Sequence, residues 1–272
     1  MFYPDRAIAL LYKLSQMKLQ LWRNATLLLN IDGISILVDP MLGEKGSLGK
    51  FPMVDNELLN PLVDLPFGKE ELNQNLEKVD AVAVTHLHPD HWDAAAIELL
   101  DKNIPIICSG IISDQISKQG FTNVIAVNDQ LQWKNIEIST TKGQHGTGEI
   151  GEKMGIVNGF VFKTEHTSVY IAGDTIWYDE IAQEIDKHNP QHIIVAGGAA
   201  TFSVGDPIIM TSEDIVKVCE HAPESTVWIT HLEAVSHCRE DRKFIQGKIT
   251  EKGLENQCFI LKDGEEVSLK QK

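Results

Sequence analysis

Apolar and polar positions alternate with a period of two along much of this chain, the pattern of strands with one buried face. Leu19 and Leu21, then Ala25, Leu27 and Leu29, are set off by mostly polar neighbours. Asp32-Gly33 separates that run from Ile34–Val38, and an Asp-Gly pair between such runs predicts a hairpin. Residues 79–84 form a short apolar run of the kind found in fully buried strands. Residues 94–100 have helix-forming composition. A strand at 104–107, a helix closed by Gly120 and a strand at 123–127 continue a strand–helix rhythm. The middle of the chain predicts antiparallel strands at 136–140, 159–163 and 168–172, with a turn at Glu165-His166. Strands at 193–196 and 226–230 then flank a helix starting near Ser212, with Thr211 or Ser212 as its cap. Asp263-Gly264 predicts a closing hairpin.

Two stretches break the pattern. Residues 1–16 place Ile8, Leu11 and Leu14 on one face of a short amphipathic helix, which reads as an extension on a single domain at 17–272. Residues 41–68 carry Gly43, Gly46, Gly49, Pro52, Pro61 and Pro66 and no periodicity. A loop this long is either a functional lid or a plain surface excursion. Either stretch could seat a neighbouring subunit, so a homo-oligomer stays open.

Composition narrows the classes of function. The chain of 272 residues has 39 acidic and 24 basic side chains, a formal charge of −15. That balance argues against a nucleic-acid partner, which needs a positive footprint. No run reaches the roughly 18 apolar residues of a membrane span, and the N-terminus lacks a signal-peptide pattern. Cys108, Cys219, Cys238 and Cys258 are too scattered for a disulfide framework or a zinc knuckle, so a reduced, cytoplasmic protein is expected.

The chemistry concentrates in His86-x-His88-x-Asp90-His91, directly after the apolar run at 79–84 and before a helix. Three imidazoles and a carboxylate at a strand end form a donor set for zinc, iron or manganese. Three later residues repeat the theme of a polar ligand just past an apolar strand: His145, Asp174 and His231. Singly, each is an ordinary loop histidine or helix cap. Together with the first cluster they make seven donors, enough for two divalent ions.

This set, H-x-H-x-D-H followed by a later His, a Gly-Asp-Thr aspartate and a final His after a strand, resembles the metallo-β-lactamase superfamily across roughly residues 17–235. Arg23-Asn24-Ala25-Thr26, the Asp39-Pro40 strand end and Thr230-His231-Leu232-Glu233-Ala234 resemble the branch that includes ascorbate-6-phosphate lactonase. Gly205-Asp206-Pro207 stands where that branch often carries a histidine-containing segment. The resemblance implies an α/β fold, a four-layer αββα sandwich of two mixed sheets with metals at one edge. It implies that His86, His88 and His145 bind the first metal, that Asp90, His91 and His231 bind the second, and that Asp174 bridges them. Zinc is the expected ion, with manganese, iron or nickel as alternatives.

A bound divalent cation lowers the pKa of its water to about 7, and a pair of cations can also polarise the scissile group. The expected activity is therefore hydrolysis of a small, anionic ester, lactone or phosphodiester by a metal-bridging hydroxide. Asp90 would orient that hydroxide and shuttle a proton. His237, Arg23 and Trp177 are the candidate substrate contacts. Two alternatives share the fold: an iron-containing redox enzyme, disfavoured because diiron members typically replace the position of His88 with glutamate, and a metal-dependent nuclease, disfavoured by charge.

Overall fold

The computed structural model describes residues 17–269, and the helix expected at 1–16 lies outside them. The first sheet contains β1 (Met17–Arg23), β2 (Thr26–Ile31), β3 (Ile34–Val38), β4 (Ala81–Val84), β5 (Ile106–Ser109) and β6 (Val124–Val127). The second contains β7 (Gln130–Trp133), β8 (Ile136–Gly143), β9 (Val157–Lys163), β10 (Ser168–Ile171), β11 (His192–Ala196), β12 (Thr226–Thr230) and β13 (Cys258–Ile260). A last strand, β14 (Glu266–Leu269), returns to the first sheet. The spatial orders are β14-β1-β2-β3-β4-β5-β6 and β13-β12-β11-β10-β9-β8-β7. Both sheets are mixed: β3 to β6 and β10 to β13 are parallel, and their other pairings are antiparallel.

Side-chain alternation builds the layers. In β4, Ala81 and Ala83 face the other sheet, while Val82 and Val84 face outward. In β9, β10 and β12, Phe160 and Phe162, Val169 and Ile171, and Trp228 point inward; Val161, Tyr170, Val227 and Ile229 point outward. The outward residues of the first sheet pack on α1 (Lys69–Leu76), α2 (Ala94–Leu99) and α3 (Ser113–Lys118) through Leu72, Ala96 and Ile116. Beyond α4 (Gly148–Met154), those of the second sheet pack on α5 (Asp179–His188), α6 (Ser212–His221) and α7 (Arg242–Glu251) through Ile181, Ile185, Ile215, Val218, Ile245 and Ile249. The result is the expected helix–sheet–sheet–helix sandwich, with one apolar core between the sheets and one outside each.

Local chemistry explains several boundaries. Asp32 and Gly33 both have positive φ, 49° and 80°, as a two-residue hairpin turn requires. Thr211 and Asp214 make a reciprocal capping box on α6, so Thr211 is the cap. The closing hairpin expected at Asp263-Gly264 does not form. β13 pairs with β12 in the second sheet, while β14 pairs antiparallel with β1 in the first, so residues 261–265 cross between sheets. The crossing is held by Gly264 N to Leu21 O (2.7 Å) and Leu21 N to Glu265 O (3.1 Å).

The irregular stretch at 41–68 is ordered against its own chain. Arg23, expected to meet an anionic substrate, is 0% exposed and anchors this stretch instead. Its Nη2 donates to the Met41 and Gly43 carbonyls (2.6 and 2.8 Å) and its Nη1 to Val63 O (3.0 Å). Burial draws its pKa down to about 10, against the pull of Asp93, so it stays charged at neutral pH. Asp93 accepts from Gly43 N (2.7 Å) and also caps α2 through Ala96 N (2.7 Å). Further along, Leu62 N donates to Ala234 O (2.8 Å) and Ser203 N to Met53 O (2.8 Å), which lays the loop along the edge that carries the site. Arg23→Met keeps the aliphatic stem but leaves three carbonyls without their donor. We expect a loss of about 2–3 kcal/mol, read by calorimetry as a Tm lower by roughly 4–10 °C, with faster proteolysis inside 41–63. An unchanged Tm and unchanged proteolysis would remove this anchoring role.

Candidate metal centre

Five strand ends on one edge of the sandwich carry the polar residues of the centre. β3 ends at Asp39, β4 at Thr85-His86, β8 shortly before His145, β10 shortly before Asp174, and β12 at His231. The carboxyl edge of parallel strands is where α/β sheets ordinarily place ligands, because the loops there are free of the ladder. After β4 the chain folds back at once: His91 N and Trp92 N both donate to His88 O (2.9 Å each), and Asp93 then starts α2. That turn gathers His86, His88, Asp90 and His91 within one loop. Gly173, with φ of 70°, sits so close to Asn158 O that a Cβ would be 2.6 Å from it, so only glycine lets β10 deliver Asp174 here. Asp39 and His231 hold left-handed backbone angles, φ 45° and 65°, at the same edge. Strain of this kind tends to collect at functional sites.

The seven expected donors form two groups. Ligating atoms of His86, His88 and His145 lie within 4.8 Å of one another, and so do those of Asp90, His91, Asp174 and His231. Asp174 touches both groups: its Oδ2 is 3.2 Å from His91 Nε2, 3.6 Å from His231 Nε2 and 3.7 Å from His145 Nε2. Asp90 Oδ2 lies 3.1 Å from His231 Nε2 and 3.8 Å from His91 Nε2.

The ring nitrogens facing away from the centre are committed to partners, which sets the tautomers. His145 Nδ1 meets Ile208 O at 2.7 Å, and His91 Nδ1 meets Asp39 Oδ2 at 2.8 Å. Thr85 Oγ1 donates to Asp39 Oδ2 (2.7 Å) and is therefore left to accept from His86 Nδ1 (3.0 Å). His88 is hydrogen-bonded to the Met154 backbone at the end of α4. For His86, His91 and His145 this leaves Nε2 as the nitrogen turned inward. His86 Nε2, His91 Nε2 and Asp174 Oδ1 are buried without a properly directed hydrogen bond among the described residues. Inward lone pairs with fixed outer partners are what metal ligation uses.

The electrostatics separate the groups. Burial pushes His86, His88 and His145 below the usual histidine range, so they are neutral imidazoles. In the other group burial opposes every charge, yet the charges prevail. His91 is lifted to about 10 and His231 well above its ordinary value by Asp174 and Asp90. The two carboxyls are held below the carboxylate range, chiefly by His91 and then by His231. Two buried carboxylates are thus balanced only by protons on two histidines, a place that a divalent cation fills without a proton. The residues fit a metal.

Asp39 was not among the expected site residues. It accepts from Thr85 N (2.8 Å), Thr85 Oγ1 and His91 Nδ1, so one carboxylate orients ligands of both groups. Asn24 fixes the other side: its Nδ2 donates to Asp90 O (3.2 Å), and its backbone carbonyl accepts from His231 N (2.9 Å). Cys238 is a third missed partner, with Sγ 3.8 Å from His231 Nδ1. Cys238→Val removes that contact, and we expect metal retention to fall by up to about tenfold, measured by competition with a chromophoric chelator; unchanged retention would assign the thiol to packing alone. Trp177 packs on the core outside the second sheet, edge-on to His221 at 5.6 Å. His237 lies on the 231–238 loop, 5% exposed.

Comparison with known proteins agrees with this geometry. Residues 35–232 match the family model described as the Beta-lactamase superfamily domain. The chain is 39% identical over 247 residues to the UPF0173 protein YddR of Bacillus subtilis, covering 89% of this chain and 96% of that one. A solved structure of a possible metal-dependent hydrolase from Veillonella parvula superposes with a TM-score of 0.88 at 30% identity, over 93% of this chain and all of the other. The isothiocyanate hydrolase from Delia radicum gut bacteria superposes with a TM-score of 0.86 at 34% identity, with the same coverage. The chain belongs to the metallo-β-lactamase superfamily, among its UPF0173 metal-dependent hydrolases.

Proposed function

We propose that the protein is a dinuclear hydrolase of a small electrophile, an ester, a lactone or an isothiocyanate. His86, His88 and His145 would hold one divalent cation, zinc first among the candidates; Asp90, His91 and His231 would hold the second, with Asp174 shared between them. The observation that carries this reading is the pair of donor groups joined by Asp174. When bound, such cations supply a water ionised near neutral pH and a Lewis acid for the electrophile. Asp90, whose carboxylate stays ionised, would align the attacking water and take up its proton, while its Oδ2 sits 3.1 Å from His231 Nε2. Asp39 keeps His91 turned with Nε2 inward throughout. The isothiocyanate enters the reading from the solved relative at 34% identity. With Arg23 committed to backbone carbonyls, the case for an anionic substrate loses its one expected side-chain cation.

The test is metal analysis of the purified protein, followed by aryl esters, lactones, isothiocyanates and phosphodiesters on the zinc- and manganese-loaded forms. The expected result is close to two equivalents of metal and turnover of at least one of the first three classes. Absence of tightly bound metal, or turnover confined to phosphodiesters, would overturn it.

A further inference from the structure

One polar group in the wall of the centre is not used by the seven donors. The imidazole of His237 lies between two phenylalanine rings, stacked on Phe202 (centroids 5.7 Å, 14°) and edge-on to Phe51 (5.3 Å, 69°). Its backbone is fixed, since His237 O accepts from Thr201 N at 2.9 Å. Its Nδ1 nevertheless is buried with no hydrogen-bond partner among the described residues. The next residue, Cys238, has its Sγ 3.4 Å from His231 O and 3.8 Å from His231 Nδ1, and Phe202 shares a buried cluster with Ile208, whose carbonyl meets His145 Nδ1 at 2.7 Å, which puts the ring beside both donor groups. Burial brings its pKa down to about 4, so at neutral pH it is uncharged.

The surroundings are apolar. Phe202 belongs to a buried cluster with Ile150, Ile208 and Ile209, against which Val54 packs. Met53 and Val204, 40% and 66% exposed, lie on two loops tied by Ser203 N to Met53 O (2.8 Å). An unpaired buried nitrogen costs about 1–3 kcal/mol. Ligand sites retain such groups because the ligand satisfies them, and an apolar wall with one or two placed polar atoms is their common form. A charged substituent brought against these rings would lose its hydration, and Arg239, two positions along, is engaged by Thr201 O (3.1 Å).

We propose that His237, Phe51 and Phe202 form the recognition wall of the site, and that it takes small uncharged substrates with an apolar or aromatic substituent, His237 hydrogen-bonding a substrate heteroatom. The assignment rests on the hydrolase reading for the reaction, while recognition itself is measurable without turnover. N-benzylacetamide and its para-carboxylate share the same amide and differ in charge at the far end of the ring. Calorimetric titration of both into the zinc-loaded protein tests the wall. The neutral probe is expected to bind at least about tenfold more tightly than the carboxylate. His237→Phe should weaken the neutral probe roughly five- to tenfold, His237→Gln should recover most of that loss, and zinc content should be equal in all three proteins. Equal affinity for the two probes, no binding of the neutral one, or unchanged affinity in His237→Phe would overturn the assignment. If the binding differences hold while no ester, lactone or isothiocyanate is turned over, the hydrolase reading fails and the recognition wall stands.

Discussion

Asp90→Asn is expected to keep its metal and to lose turnover by about 10²- to 10⁴-fold. The substitution preserves volume and one carbonyl oxygen in a buried position. It preserves the backbone contact in which Asn24 Nδ2 donates to Asp90 O, so the loop from His86 to His91 keeps its anchor. What it removes is an ionised oxygen, 3.1 Å from His231 Nε2, that can take a proton from attacking water. The check is steady-state turnover on whichever ester, lactone or isothiocyanate the wild type hydrolyses, beside metal content by mass spectrometry. Full activity with full metal would deny Asp90 the proton. Loss of metal in step with loss of activity would make it a ligand only.

Much of the architecture is written in local patterns. Alternation marks β1 and, with interruptions, β2 and β3, and the two-faced apolar strand β4 reads as a buried run because it is covered on both sides. Elements with weak local signals were not legible. α4 lies in a glycine-rich stretch, with Gly148 and Gly151 in its first turns, and β7 is short and half-exposed. The Asp263-Gly264 turn has the composition of a hairpin, but the pairing of β14 is decided by a free edge on β1, which no local pattern encodes.

The centre divides the same way. Its donors are legible because four of them stand in one loop and the others each follow an apolar strand. Their outer partners are not, since Asp39, Asn24 and Cys238 act across 52, 66 and 7 positions of chain. Arg23 shows the opposite failure: a lone cation near a site suggests an anionic ligand, yet three carbonyls of an irregular loop outrank it. A buried donor finds its partner in the backbone that most lacks one.

Asp39→Asn is the sharpest test of that outer layer. Asp39 Oδ2 accepts from both Thr85 Oγ1 (2.7 Å) and His91 Nδ1 (2.8 Å), while Oδ1 accepts from Thr85 N (2.8 Å). An asparagine cannot accept at both positions. With its amide nitrogen at the Oδ2 position, His91 can no longer donate there and its proton is driven to Nε2, the nitrogen that must stay bare for a metal. In the flipped orientation, Thr85 N faces another donor and is left unsatisfied in a buried site. In the first orientation the imidazole of His86 also loses its fixed neighbour, because Thr85 Oγ1 then has no acceptor at the Oδ2 position to direct it. We expect metal affinity to fall by about 10- to 100-fold and the metal-free protein to lose about 1–3 kcal/mol of stability. Titration against a competing chelator reads the first and urea denaturation of the metal-free protein reads the second. An Asn variant that binds metal as tightly as wild type would show that His91 holds its tautomer without Asp39.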